Sequence, residues 1–457
     1  EGTGRRYLGD YKSEKEQMKA LYDNAVSEQE DLNLSMGIAL TKEQIARLKK
    51  DIIWYVEEEV EGQKVLVPKV YLTRNTLSKL KDNTISLEAG ENLNITANEI
   101  SNAGDITAKK VDLKVDNLVN KSSSENLATI NADNINIEAK ESLSNIGSTI
   151  KANENIKISA NKVENISTHH INTNIVEIKK DNFENIASIE AGNNIDIKAK
   201  DVTNTAANIK ANNDITIKSD NVKVNTLTLK DSENRKNYEN TIINNVGSEI
   251  TGKNISIEAN NDIGIVGSDI KAKEKLSLNT KNVDISSAES NLYERSSNRS
   301  GYTINEIKRN VASNIEAKNI DISATKDVDI KGSNIVAKEE TNVKADGNVN
   351  IVSATDSNYS EHKETHKKSF GRSKSEENIS YATNNVASNI LGDKVNITSG
   401  KDVNILGSNV QANAEGQIKA NENIIQAGVK DTNYSYHKKT KTGFMGLTSK
   451  SVTDENY

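Results

Sequence analysis

The stretch IEAGNNIDIKAK, from Ile189 to Lys200, returns along this chain in near copies about twenty residues apart. IKANENIKISA begins at Ile150, IKANNDITIKS at Ile209, IKAKEKLSLNT at Ile270 and a looser IEAKNIDISAT at Ile315. A unit this short cannot bury its own apolar face, so successive copies have to stack on one another. Inside a unit the apolar residues alternate, as Ile195, Ile197 and Ala199 do, with Asp and Lys between them. That is strand periodicity; at helical spacing the same positions would scatter around the cylinder. A sandwich or a propeller does not require each unit to keep one length and one apolar phase. The pattern therefore predicts a mainly β chain, an elongated parallel β-helix of coils of about twenty residues, taken as right-handed. Coils about 4.8 Å apart place each Ile over its counterpart, and Asn at the corners tolerates left-handed backbone and bonds its neighbours along the stack.

Composition supplies the alternative that periodicity has to beat. Hydrophobic residues make up 34% of the 457 and aromatics 4%, values close to those of disordered chains. Disorder gives no reason to space Ile regularly, so the repeat decides for a folded stack. There is no cysteine, hence no disulfide or thiolate framework. With 59 Lys+Arg against 66 Asp+Glu, the net charge of −7 speaks against nucleic-acid binding. No run approaches the roughly 20 apolar residues of a membrane helix. The sequence opens at Glu1 with no signal-peptide pattern, and the expectation is a piece of something longer.

Three textures divide the chain. Residues 1–72 predict a small α+β unit. Ser13 with Glu16, and Thr41 with Gln44, form capping-box patterns. Met18, Leu21 and Val26, then Leu40, Ile45, Leu48 and Ile52, supply apolar stripes. Two strands around a turn at Glu61-Gly62 follow, with Trp54 as the core anchor. Residues 73–230 predict the regular β-helical rod. Residues 231–457 keep the coil template but interrupt it with excursions opening SNLY, SNYS and TNYSYH. Each of the first three ends in one return motif: NVGSEI at Asn245, NVASNI at Asn310 and NVASNI at Asn385. The returns are spaced by 65 and then 75 residues, read as a three-coil super-repeat whose excursion lengthens, with each excursion a hairpin or flap standing off the rod.

Tyr, Lys and His concentrate in these excursions, which makes them the candidate contact surface. The residues singled out are Tyr293, Tyr302, Tyr359, Phe370, Tyr434, Tyr436, Lys438, Lys439 and Phe444. Lys would meet anionic sugars, lipopolysaccharide or lipid headgroups, and Tyr and Phe would supply stacking area. Chemistry of other kinds finds little support. HKETH, from His362 to His366, lacks the Glu directly after the first His that the zinc-protease pattern needs, and reads as a solvated loop. His169 and His170 read as exposed corner residues. No nucleophile elbow, phosphate loop or dinucleotide glycine pattern appears, so no catalytic residue, metal ligand or cofactor is expected. The alternative is a carbohydrate-active β-helical lyase or hydrolase. It requires a groove in which three or more carboxylates converge.

The excursions SNYSEHKETHKKSFG and TNYSYHKKTKTGFMG resemble the haemagglutinin repeats of the filamentous haemagglutinin family. The preceding LTKEQIARLKKDIIWYVEEEVEGQKVLVPKVYL resembles the segment before those repeats in contact-dependent growth-inhibition exoproteins. The resemblance implies export through an outer-membrane β-barrel partner in two-partner secretion, and a fibre at the outer cell surface. The fibre would act as an adhesin, or as a stick delivering a toxin domain at the parent's C-terminal end to a target cell's envelope.

Overall fold

The computed structural model describes residues 13–29, 31–60, 63–79, 86–124, 126–175 and 177–457. Strand accounts for 71% of the chain and helix for 6%, which disposes of the disordered alternative. The chain forms two compact units. The first comprises Glu1–Ala160, Glu164–His170 and Asn182–Glu190; the second comprises Asn161–Val163, Ile171–Asp181 and Ala191–Tyr457.

The first unit begins with helices α1 (Glu14–Gln29) and α2 (Lys42–Arg47), strands β1 (Ile52–Val60) and β2 (Gln63–Tyr71), and helix α3 (Arg74–Lys79). Both caps form: the Glu16 amide donates to Ser13 Oγ at 3.2 Å, and Thr41 and Gln44 bond reciprocally. Trp54 sits in the core with Leu32, Leu34, Leu48 and Val56, its indole N–H donating to the Ser35 carbonyl at 3.3 Å. The apolar stripe of α1 differs from expectation. Leu21 and Ala25 are buried with Glu28, while Val26 is 71% exposed. Glu28 fits there because its carboxylate accepts the Lys49 amide. β1 and β2 pair antiparallel from Ile52↔Tyr71 to Val60↔Gln63; their turn at 61–62 lies outside the described residues.

Parallel coils follow in the same unit. Leu87, Ile106 and Ile130 align in successive coils, as do Ile95, Leu113 and Ile137, and Ile100, Leu118 and Leu143. One corner carries a column of buried asparagines. The Asn102 side chain donates to Asn120, Asn120 to Asn145 and Asn145 to Asn165, each at 2.8 Å. Amides suit this place because each carries both donor and acceptor, so one residue satisfies the coils before and after it.

The second unit repeats the stack over a longer run. Ile197, Ile217, Ile257, Leu278, Ile322, Val343 and Ile397 form one continuous ladder. Ile209, Ile250, Ile270, Ile315, Ile335, Ile390 and Val410 form another. Ile257 and Ile322 are at most 1% exposed. The small residue of each return motif enters a serine column, in which the amides of Ser248, Ser268, Ser313, Ser333 and Ser388 donate to the next serine's hydroxyl at 3.1–3.3 Å. This parallel coil-on-coil register is a β-helix architecture.

The excursions are hairpins, and they number five among the described residues. Their strands are His169–Ile175 with Ile178–Phe183, Leu227–Arg235 with Tyr238–Val246, Ala288–Ser297 with Gly301–Val311, Ala354–Lys367 with Ser373–Val386, and Asn433–Thr442 with Ser449–Asn456. The first lies where the sequence reads as regular coil, and belongs to the second unit over Ile171–Asp181. It lacks the aromatic opening that marks the others. Hairpins do not stand apart as separate flaps. Each pairs antiparallel with the next, and together they form one ten-stranded sheet.

The super-repeat holds two coils rather than three. Ile250 pairs directly with Ile270, and Ile270 with Ile315 across a hairpin; Ile315 pairs directly with Ile335, and Ile335 with Ile390 across the next. Two coils rise about 9.6 Å, and the two strands of a hairpin also occupy about 9.6 Å. Stack and sheet therefore grow at one rate, which is why every hairpin arrives beside its predecessor in register.

Candidate functional site

The hairpin sheet gathers most of the candidate contact residues, and its strand alternation sorts them by face. Directly paired residues of an antiparallel sheet share a face. Tyr293, Glu306, Tyr359, Tyr381 and Tyr434 form one such row across five strands. The adjacent row is Arg295, Ile304, Glu361, Ile379 and Tyr436, and the next is Tyr302, Lys363, Glu377 and Lys438. Six of the nine candidates thus lie on one tyrosine face. Lys439 lies on the opposite face, and Phe370 and Phe444 lie at the tips of the last two hairpins.

On the tyrosine face the phenols are tied to carboxylates. Tyr302 and Tyr359 both donate to Glu361, at 2.5 and 2.8 Å, and Tyr434 donates to Glu455 at 3.1 Å. Burial and the Glu361 carboxylate push the Tyr359 hydroxyl up to about 12. Its bond to Glu361, two residues along the strand, lays the Tyr359 ring along the face. Arg295 stacks over the Tyr302 ring at 5.7 Å, and Lys363 pairs with Glu377 at 3.1 Å.

The other face is polar near the stack and basic toward the tips. Thr303, His362, Asn378, His437 and Asp454 form a row, and a shallow pocket of about 280 Å³ opens over its later members. Farther out, His366, Lys374, Lys441 and Lys450 stand directly opposite one another on four adjacent strands. Like charges so placed repel. Glu364 offsets His366 at 3.0 Å, and Glu376 lies 3.8 Å from Lys374 and 3.5 Å from Lys439. Burial works against ionisation of Glu376, but Lys439, Lys374 and His437 outweigh it and hold its carboxyl below the usual range. Lys441 and Lys450 have no ion-pair partner among the described residues.

The tips themselves are apolar. Phe370 is 71% exposed and Leu447 81%, with Met445 at 70% and Phe444 at 46% beside them. The two phenyl rings lie 5.7 Å apart, the Met445 amide donates to the Phe370 carbonyl at 2.9 Å, and Arg372 sits 5.9 Å over the Phe444 ring. Left-handed backbone at Phe370 and Gly371 makes the reversal.

Apart from Ala354 at the junction, residues of Ala354–Lys367 and Ser373–Val386 are half-buried or exposed on both faces, so neither face of this hairpin forms a buried core. Sequence reasoning missed what joins hairpin to hairpin. The return-motif asparagines do this: Asn245 donates to the Glu289 carbonyl, Asn310 to the Thr355 carbonyl and Asn385 to the Lys430 carbonyl, at 2.7, 2.9 and 3.1 Å. The recurrence of that Asn before each Val was the available signal. Gly301 allows the closest approach, since a Cβ there would come 1.8 Å from the Lys363 carbonyl oxygen.

The metal reading of HKETH meets strand geometry. His362 and His366 lie on one strand, not in a loop, about 14 Å apart by strand rise. No group of three or more potential ligands forms among the described residues. His169 and His170 are exposed but open the first hairpin rather than turning a corner. For the enzymatic alternative, a groove on the second unit's coil stack gathers two carboxylates, Asp220 and Glu258. Both are engaged, Asp220 by Asn260 at 2.6 Å and Glu258 by Lys218 at 3.0 Å. That falls short of three converging carboxylates.

Stacked coils and a laterally grown hairpin sheet define a repetitive structural protein. The hemagglutinin repeat family matches residues 229–305, 301–373 and 368–451. Among curated proteins, the chain is 34% identical over 154 residues to the 16S rRNA endonuclease CdiA of Enterobacter cloacae, covering 32% of this chain and 4% of that protein. It is 41% identical over 102 residues to the tRNA nuclease CdiA of an Escherichia coli strain, covering 22% and 3%. It is 36% identical over 105 residues to the adenylyltransferase and cysteine protease IbpA of Histophilus somni, covering 22% and 3%. No solved structure matches. Residues 229–451, just under half of the chain, are hemagglutinin repeats, and with these relatives they mark the chain as a region of a filamentous haemagglutinin or contact-dependent growth-inhibition exoprotein. The chain spans only 3–4% of the length of these relatives, and the catalytic activities in their names are theirs.

Proposed function

We propose that the chain is a fibre segment of a large exoprotein on the bacterial outer surface, with the hairpin sheet as its contact surface. In this reading a small α+β unit (1–72) precedes a right-handed β-helical stalk (73–230) and a stalk bearing the contact hairpins (231–457). Family membership implies an outer-membrane β-barrel partner for secretion, and the toxic activities in the relatives' names suggest a toxin domain in the parent chain. The segment then serves adhesion or brings that toxin to a target cell's envelope, and carries no catalytic role of its own.

The observation that carries the reading is the distal end of the last two hairpins, where exposed Phe370, Phe444, Met445 and Leu447 adjoin the row Lys374, Lys441 and Lys450. Apolar tips beside a lysine row in which Lys441 and Lys450 have no ion-pair partner among the described residues match an anionic lipid surface. Each Lys near such a surface contributes ~1 kcal/mol, and apolar tips that enter it add area-dependent binding. Tyr293, Tyr302, Tyr359, Tyr434, Tyr436, Lys438 and Lys439 extend the contact inward.

Flotation with vesicles tests this. The chain is expected to bind vesicles containing an anionic phospholipid and to ignore neutral ones. Phe370→Ser with Phe444→Ser, and separately Lys441→Gln with Lys450→Gln, should each weaken binding severalfold. Equal binding by all three proteins would sink the assignment. Binding to bacterial against animal cells, with the hairpins trimmed as the control, then separates toxin delivery from host adhesion.

A further inference from the structure

The groove on the second unit's coil stack lies away from the hairpin sheet and has a composition of its own. Its volume is about 560 Å³. One rim consists of residues stacked at one position of successive coils, Lys198, Lys218, Glu258 and Asn279. First to fourth span about 14 Å by strand spacing. The floor is made of small residues, among them Ala199, Ser219 and Thr280. That contrast of short floor and long rim is what makes the groove.

Among the described residues three charges in it have no ion-pair partner, Lys198, Lys281 and Asp220, the last held by the neutral Asn260 amide. Lys198 stands directly beside Lys218, whose carboxylate partner Glu258 is already engaged at 3.0 Å. Lys281 closes the far end. Neither Lys198 nor Lys281 has an ion-pair partner among the described residues, in a chain whose net charge is −7. Beneath the floor, the Thr280 hydroxyl oxygen is closed to solvent and has no hydrogen-bond partner, Thr280 being 4% exposed. A buried polar group left unpaired is costly, and among the groove's residues it is the one such side chain.

We propose that this groove binds a carboxylate-bearing oligosaccharide, extended along the stack, with acid groups at Lys198 and Lys281. The backbone around the groove is closed to a peptide strand. The Ala199 amide is held by Lys218, the Asp220 amide by Lys200 and the Thr325 amide by Thr280, at 2.8–3.0 Å. No apolar or aromatic side chain longer than Ala lines it to receive a peptide side chain. Side-chain hydroxyls, amides, ammonium groups and the Asp220 carboxylate remain; a chain of sugar hydroxyls interrupted by carboxylates suits them, its acid groups meeting the lysines and its hydroxyls donating to Asp220.

Calorimetry with the whole chain tests the proposal. The probes are a galacturonate oligomer of defined length, its neutral methyl ester and an oligoglutamate of equal charge. The galacturonate is expected to bind and the ester not to. Lys198→Gln and Lys281→Gln should each weaken binding about tenfold, the loss of one charge-assisted hydrogen bond. Both lysines are exposed, so unchanged circular dichroism is expected to accompany the loss. Absence of binding, indifference to both substitutions, or equal affinity for the oligoglutamate each overturns the proposal. The Phe370→Ser, Phe444→Ser variant should bind the sugar normally, which keeps this result separate from the fate of the hairpin contact.

Discussion

Coil stack and hairpin sheet, built from the same chain at the same rise, are held together by opposite means. Ladders such as Ile197, Ile217, Ile257 and Leu278 are fully buried in the stack. The hairpin sheet has no interior, and its order rests on backbone ladders, cross-strand pairs such as Lys363–Glu377, and the return-motif asparagines. Burial of apolar surface stabilises by about 25 cal/mol per Å², whereas an exposed ion pair contributes at most about 1 kcal/mol. The stack is therefore expected to order the sheet, and the sheet to add little to the stack. A surface that has to meet partners can be wet on both sides because something else fixes its strands.

That asymmetry can be broken most sharply in the stack. Ile257→Ala should cost about 2–4 kcal/mol in denaturant unfolding and lower the protection of both stack and sheet amides. A loss confined to the neighbouring coils would contradict the ordering of one by the other. Next in size, Asn145→Ala in the first unit removes an acceptor from Asn120 and a donor to Asn165. A loss of about 1–3 kcal/mol is expected, read by the same unfolding titration, because the orphaned amide stays buried.

Asn310→Ala probes the sheet alone. It should cost less than about 1.5 kcal/mol globally, yet raise hydrogen exchange at the base of the hairpin 354–386 while coil amides keep their rates. The smallest effect belongs to Tyr359. Its hydroxyl is raised from 10.0 to about 12 in the folded chain, so the folded state holds the proton more tightly than the unfolded one. The resulting stability is present below about pH 10 and fades as pH rises toward 12. Tyr359→Phe should flatten that alkaline decline, and ultraviolet titration should show one phenol fewer ionising late.

Much of the stack was legible because its signal is apolar and periodic. Ile189, Ile209 and Ile270 fall at constant phase, and that phase fixes which face is inside. The sheet was legible only as four of its five hairpins: Tyr359 and Tyr434 marked hairpins, while nothing marked Ile178–Phe183. Their association was hidden because both faces are polar, so no periodicity reports it. Pairs such as Glu306↔Tyr359 also join residues far apart in sequence. The coil count per hairpin failed for a related reason. Spacings of 65 and 75 divide loosely by twenty, and only the observed register tells two coils and a long hairpin from three coils and a short one. In α1, Val26 looked like core by spacing, but Glu28 takes the inward place through its bond to Lys49.

Growth in step, two strands for two coils, is what makes one sheet out of separate hairpins. Two deletions measured by hydrogen exchange put it at risk. Removing residues 250–314, two coils with their hairpin, should leave the remaining hairpins adjacent and their amides protected. Removing the single coil 315–334 brings the hairpins 288–311 and 354–386 out of step with the stack between them, and protection should fall in both while the coils stay protected. Equal hairpin protection in the two deletions would mean that the sheet holds its register without the stack, and would contradict this account.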